Sequence, residues 1–194
     1  LRGVIDQRRR KGKRSGQFLL LGSASGALLQ QSAESLAGRV AYLELTPSSG
    51  IEVPADDLQR LWVGGGFPES FLAPSDAASM RWRQQFIGTY LERDIPQLGP
   101  RIPAETLRRL WTMLAHEQGH LLNASRLAAS LAVSGQTVAR YLDLLVDLML
   151  VRRLQPWAGN GGKRLVRSPK VFVRDSGLVH ALLGLTTFDD VIAH

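Results

Sequence analysis

The 194 residues contain no cysteine, which excludes disulfides, thiolate metal sites and cysteine nucleophiles together. That absence suits a reducing compartment, and the cytoplasm is the default expectation. Long apolar runs are also missing: none approaches the roughly 20 residues that cross a bilayer. The basic N-terminus is not followed by the apolar stretch and small-residue cleavage site of a signal peptide, so no membrane partner is expected. No methionine opens the chain, which starts at Leu1, and a piece of a longer protein is expected.

What is present suffices for one or two globular units, with 44% hydrophobic residues and no compositional sign of disorder. The formal charge of +7 is unevenly placed. Arg2, Arg8, Arg9, Arg10, Lys11, Lys13 and Arg14 stand against Asp6 in the first fourteen residues, so nearly all of the excess lies there. A smaller basic cluster runs from Lys163 to Arg174. A charge run of this kind ordinarily marks a solvated loop, here between a helix and a strand.

Residues 1–10 are expected to finish a helix, with Leu1, Val4 and Ile5 on one side. Phe18 to Leu21 is a short apolar run ending at Gly22 and Ser23, the pattern of a buried parallel strand. Residues 24–36 predict a helix stopped by Gly38, and Val40 to Leu45 a second strand closed by Thr46-Pro47-Ser48-Ser49-Gly50. Strand, helix, strand is a βαβ unit. The turn-rich Gly64-Gly65-Gly66-Phe67-Pro68 predicts a linker within residues 51–75. Beyond it Trp82, Phe86 and Tyr90 recur every four positions as a helical packing stripe.

The last third carries the clearest pattern. Residues 103–117 predict a helix with Leu107, Leu110, Trp111 and Leu114 on its apolar face. Asn123 caps a second helix through Leu131, and Ser134 caps a third. Strand-like residues 151–157 and 164–173 flank Asn160-Gly161-Gly162, a hairpin signal. Asp175 or Ser176 caps a closing helix that Gly184 ends. Three helices followed by a hairpin predict a winged helix.

Several strings taken together resemble one family. They are Phe18-Leu19-Leu20-Leu21-Gly22-Ser23-Ala24, Leu36-Ala37-Gly38-Arg39, Gly65-Gly66-Phe67-Pro68-Glu69-Ser70 and Tyr90-Leu91-Glu92-Arg93-Asp94-Ile95-Pro96. Leu122-Asn123-Ala124-Ser125, Thr137-Val138-Ala139-Arg140-Tyr141-Leu142, Lys163-Arg164-Leu165 and Arg174-Asp175-Ser176-Gly177-Leu178 extend the likeness. The chain resembles the prokaryotic AAA-type P-loop ATPases that carry a C-terminal domain of unknown function. The resemblance implies an α/β remnant of a P-loop ATPase core over residues 1–50, a helical linker region over 51–100 and a mainly α winged-helix domain over 101–194. It implies ATP and magnesium for the full-length parent, with none bound by this piece. The Gly-x-x-x-x-Gly-Lys-Ser/Thr loop does not occur, an acidic magnesium-binding strand is missing, and so is the nuclease-like segment that often ends such proteins. The chain alone is expected not to hydrolyse ATP.

Three residues are candidates to sense nucleotide: Ser23 after the first strand, Arg39 at the entry to the second, and Arg93 at a helix end. Each has a plainer role open to it, as a helix cap for Ser23 and as ion pairs for Arg39 and Arg93. His116-Glu117-Gln118-Gly119-His120 spells the zinc-protease motif, but Gly119 predicts a helix stop between the histidines, so no metal site is expected. For DNA, Gln136 and Arg140 on the third helix and Lys163, Arg164, Arg167 and Lys170 on the wing are the candidates, opposed by Asp143 and Asp147. A protein partner or self-association is the competing use of the module. A stand-alone winged-helix DNA-binding regulator is the alternative to the ATPase reading. A parallel sheet short of strands exposes apolar edges, so the first 50 residues are expected to be poorly ordered, rearranged or covered by self-association.

Overall fold

The computed structural model describes residues 1–21, 36, 38–98, 102–156 and 168–194. The chain divides into two compact units, Leu1–Leu45 and Thr46–His194.

In the first unit α1 (Arg2–Arg10) buries Ile5 and places Arg8, Arg9 and Arg10 in its last turn, where cations suit the carbonyl end of the helix. Among the described residues Leu36 is the other buried apolar side chain of this unit. The two expected strands do not form: residues 18–21 and 40–45 have no strand assignment, and both runs are exposed. Leu19 is 77% exposed, Leu21 87%, Leu43 90% and Leu45 96%. A buried parallel strand needs partners on both sides and cover on both faces, and no ladder meets either run among the described residues. The expected helix over residues 24–36 lies outside the described residues except for Leu36.

The second unit begins earlier than the expected boundary and absorbs the expected linker. A 3₁₀ turn (Ala55–Asp57) leads into α2 (Leu58–Gly64), α3 (Pro68–Phe71) and α4 (Asp76–Thr89), the last capped by Ser75. A π-helical turn (Tyr90–Asp94) then passes into α5 (Ile95–Leu98). Pro96 explains the wider turn. Its ring lacks an N–H and clashes with the carbonyl four residues back, and the Ile95 N–H reaches five residues back to the Tyr90 oxygen. The aromatic stripe of α4 is a half-buried ladder, with Trp82 and Phe86 stacked at 5.3 Å and Phe86 and Tyr90 at 5.3 Å. The fully buried stripe is its neighbour: Arg83, Ile87 and Leu91.

The C-terminal helices follow the local signals closely. These are α6 (Ala104–His116), α7 (Ala124–Leu131) and α8 (Gly135–Asp147). Asn123 Oδ1 accepts the Arg126 N–H at 3.0 Å and Ser134 Oγ the Thr137 N–H at 3.1 Å. The α7 helix ends at Ala132, held at φ 54°, with the Val133 N–H returning to the Ala128 oxygen. Strands β1 (Val151–Leu154) and β2 (Lys170–Val173) pair antiparallel, Val151 opposite Val173 and Leu154 opposite Lys170. A short third segment joins the other side of β2: Gly119 N–H donates to the Val171 oxygen and Leu122 N–H to the Pro169 oxygen. The Asn160-Gly161-Gly162 turn lies outside the described residues. Helices α9 (Ser176–Leu183) and α10 (Phe188–Ala193) close the unit.

One core runs from Ile87, Leu91 and Ile95 through Leu107, Trp111 and Leu114 to Val138, Leu142, Val171 and Leu178. The expected division near residue 100 therefore does not separate two cores. Helix α9 packs on α2, α4 and α6, which puts residues from both ends of this unit side by side. Among the described residues no helix is long and apolar enough to cross a membrane.

Candidate functional site

The densest polar cluster lies where α2, α4 and α9 meet. Arg83 is 0% exposed and Asp175 4%. A guanidinium buried this far survives only with acceptors around it. Its Nη1 donates to the Gly177 oxygen at 2.8 Å and the Val63 oxygen at 3.2 Å, and its Nε to the Ser79 oxygen at 3.3 Å. Its Nη2 finds no acceptor among the described residues.

Asp175 caps α9 through Oδ1, which accepts the Leu178 N–H at 2.9 Å, while Oδ2 accepts the Gly66 N–H at 2.7 Å. Burial pushes its carboxyl pKa up; the backbone N–H donors and the nearby Arg83 pull the other way. Burial likewise lowers the Arg83 and His180 values. His180 Nδ1 lies 3.0 Å from the Val63 oxygen, and since a carbonyl only accepts, Nδ1 carries the proton. Ser70 Oγ donates to the Gly64 oxygen at 2.6 Å and sits 2.8 Å from Ser79 Oγ.

The glycines permit this closeness. A Cβ on Gly65 would fall 2.2 Å from Asp175 Oδ1, on Gly66 2.2 Å from the Ser48 oxygen, and on Gly177 2.2 Å from the Gly64 oxygen. Gly65 also has φ +79°. Most of the polar groups in the cluster bond one another or nearby backbone, so it acts as an interlock where α2, α4 and α9 meet. From sequence the glycine run reads as a bend and Asp175 or Ser176 as a cap, and no motif there marks Arg83, Ser79 or His180 as part of a site. The available signal was an arginine at the start of the 83, 87, 91 apolar spacing.

The nucleotide-sensing candidates are not brought to this cluster. Ser23 lies outside the described residues. Arg39 grips Asp6 with two bonds, Nε to Oδ1 at 2.7 Å and Nη2 to Oδ2 at 3.2 Å. That hydrogen bond lowers the Asp6 pKa and raises the Arg39 pKa. Arg93 is exposed on the π-helical turn and makes no ion pair among the described residues.

Of the DNA-contact candidates, Gln136 and Arg140 are exposed one turn apart on α8, and Lys170 is exposed at the start of β2. Lys163, Arg164 and Arg167 lie outside the described residues. Asp143, which would repel phosphate, is engaged instead with Arg153 of β1 at 2.6 Å; Asp147 is exposed. The zinc-protease spelling does not make a site. Helix α6 ends at His116, Gly119 turns at φ +76°, and Glu117 pairs with Arg126. No group of three or more metal-ligating side chains gathers among the described residues.

Two mycobacterial proteins are similar to this chain: Uncharacterized protein Mb2031c of Mycobacterium bovis and Uncharacterized protein Rv2008c of Mycobacterium tuberculosis. Each is 51% identical over 177 residues, covering 91% of this chain. The chain spans 40% of the length of these relatives. No solved structure matches it. Residues 55–189, which hold the interlock, the three-helix array and the strand pair, match one family, and the chain belongs to that family, described as Domain of unknown function (DUF8612).

Proposed function

We propose that this chain is part of an AAA-type P-loop ATPase in which a winged-helix module, built on α6, α7, α8 and the β1–β2 pair, is coupled to nucleotide state. Its setting is cytoplasmic. The supporting observation is the first unit: residues 18–21 and 40–45 are mainly apolar and exposed. Runs of that composition suit the inner strands of a covered sheet, and on this reading the strands that would cover them lie in the longer protein. This chain's own residues do not fit a complete ATP–magnesium site. The phosphate-cradling loop does not occur in the sequence, and Arg39 is taken up by Asp6. The ATP and magnesium of this proposal are therefore held by the parent, and no ATP hydrolysis is expected from the chain alone.

Calorimetry with a non-hydrolysable ATP analogue tests it, on this chain and on a version extended upstream in its own gene. Binding by the extended version only is the expected result. Binding by neither refutes the nucleotide role.

The pairing of Asp143 with Arg153 favours a second reading, DNA contact through Gln136, Arg140 and Lys170. It removes one of the two acids that would oppose phosphate. Each phosphate neutralised steepens the dependence of log affinity on log salt by about 0.9. The double variant Arg140→Ala, Lys170→Ala should flatten that slope by roughly 2 on duplex DNA. An affinity that does not respond to salt rules the contact out and leaves a protein partner or self-association as the use of the module.

A further inference from the structure

The first unit holds most of the chain's positive charge: residues 1–45 carry eight Lys and Arg against three acids, and seven of the eight fall within residues 2–14. Asp6 is the one acid among those first residues, and Arg39 occupies it with bonds of 2.7 Å and 3.2 Å. The cations are drawn together. The Lys11 and Lys13 N–H groups both return to the Arg8 oxygen at 3.0 Å, which folds residues 11–13 back over the end of α1. Like charges closer than a Debye length, about 8–10 Å at ordinary salt, repel one another. The fold accounts for some of them. A helix favours cations in its last turn, which suits Arg8, Arg9 and Arg10. Arg8 also lies 5.0 Å over the Phe18 ring, and Arg9 Nη2 donates to the Gly38 oxygen at 2.9 Å. Lys11, Lys13 and Arg14 lie past the helix. With Arg10 they are exposed, and their side chains make no hydrogen bond or ion pair among the described residues.

We infer that Arg10, Lys11, Lys13 and Arg14 form a contact site for the phosphate backbone of duplex nucleic acid, without regard to sequence. The match is one of charge density. A DNA duplex offers one negative charge per about 1.7 Å of its axis, whereas a single carboxylate or phosphate leaves most of the cluster unmatched. A lipid surface presents phosphate too, but a helix that lies on a bilayer needs an apolar face to insert. Residues 6–14, which carry six of the seven cations, contain no apolar side chain, and Ile5 just before them is buried within its own unit. Arg8, Arg9 and Arg10 also fan about 100° apart around the helix instead of sharing one face. This surface is separate from Gln136, Arg140 and Lys170, and it depends neither on their touching DNA nor on nucleotide binding.

Fluorescence anisotropy of a labelled DNA duplex of arbitrary sequence, titrated with the 194-residue chain across a series of salt concentrations, tests it. Arg10→Gln, Lys11→Gln, Lys13→Gln and Arg14→Gln combined should flatten the slope of log affinity against log salt by about 3–4, and weaken binding at ~0.1 M salt by at least about tenfold. Arg8 and Arg9 are left in place because they hold the Phe18 ring and the Gly38 oxygen. Arg10→Lys with Arg14→Lys keeps all four charges and should keep the slope of the unmodified chain. A slope lost equally in the lysine variant marks a structural role and overturns the site. So does an unchanged slope in the glutamine variant, or binding to phosphatidylserine vesicles with none to the duplex. The Arg140→Ala, Lys170→Ala variant reports on the other surface, and its effect adds to this one without replacing it. If the glutamine variant does not fold, the unmodified chain decides: a slope shallower than about 3 overturns the site.

Discussion

Gly177→Ala should be among the most damaging single-methyl additions in this chain. The new Cβ would meet the Gly64 oxygen at 2.2 Å, its carbonyl carbon at 2.5 Å and the Gly65 nitrogen at 2.8 Å. All three are backbone atoms, so no rotamer change relieves the contact. Ordinary van der Waals separation requires α9 and the glycine run to part by about 1 Å. That parting stretches two bonds that cross the same seam, Arg83 Nη1 to the Gly177 oxygen at 2.8 Å and the Gly66 N–H to Asp175 at 2.7 Å. A hydrogen bond to a charged group contributes about 1.5–3 kcal/mol, while alanine returns about 0.8–1 kcal/mol of helix propensity. The net loss is about 3 kcal/mol, a large share of the 5–15 kcal/mol typical of a folded domain. Urea unfolding followed by circular dichroism should show the midpoint fall by roughly 1.5–2 M for an m-value of about 1.5–2 kcal/mol/M. Gly135→Ala is the control, since its Cβ would meet nothing within 4 Å. If Gly177→Ala shifts the midpoint no further than Gly135→Ala, the seam is not the tight contact claimed for it.

Ala132 ends α7 in the left-handed region at φ 54°, where a Cβ costs about 1–2 kcal/mol, so Ala132→Gly should raise the urea midpoint by an amount worth about 1 kcal/mol. His180 should give the chain a pH dependence of definite sign. Burial lowers its pKa, so as pH falls below about 6.5 the unfolded chain takes up a proton that the folded chain resists, and stability is lost on the way down through the folded value. His180→Asn keeps a donor for the Val63 oxygen and should remove that loss. Asp175 acts with the opposite sign because its carboxyl pKa is raised, so the unfolding free energies of wild type and variant are compared as a difference from about pH 8 to pH 5.

Caps and helical periodicity are local, and they were legible. Asn123 and Ser134 each accept an N–H three residues on, as their positions ahead of apolar runs suggest, and of the two residues open for the last cap, Asp175 and Ser176, it is Asp175 that does so. The buried face of α6, with Leu107, Leu110, Trp111 and Leu114, follows from spacing alone. What the sequence did not disclose depends on distance along the chain. Gly66 and Asp175 are 109 residues apart, and Arg83 and Gly177 are 94 apart. A run of three glycines looks the same whether it bends freely or yields room to a carboxylate. The apolar runs at residues 18–21 and 40–45 failed for a related reason. Their composition fits a covered strand, but strand formation is a property of a pair, and no partner strand meets them among the described residues.

The glycines, serines, arginine and aspartate of the interlock have the composition of a phosphate or catalytic site, and two of the strings that suggested an ATPase, Gly65-Gly66-Phe67-Pro68-Glu69-Ser70 and Arg174-Asp175-Ser176-Gly177-Leu178, run through it. Their geometry argues for a different origin of that composition. Gly65 and Gly177 are small because an oxygen lies where a Cβ would go. Asp175 is acidic because two backbone N–H groups converge on it, and Arg83 is basic because carbonyls from residues 63, 79 and 177 do. Each choice has a neighbour within the fold that accounts for it, although Arg83 Nη2 has no acceptor among the described residues. The two strings are thus explained by packing within this unit, whereas Arg93, Gln136, Arg140 and Lys170 are exposed.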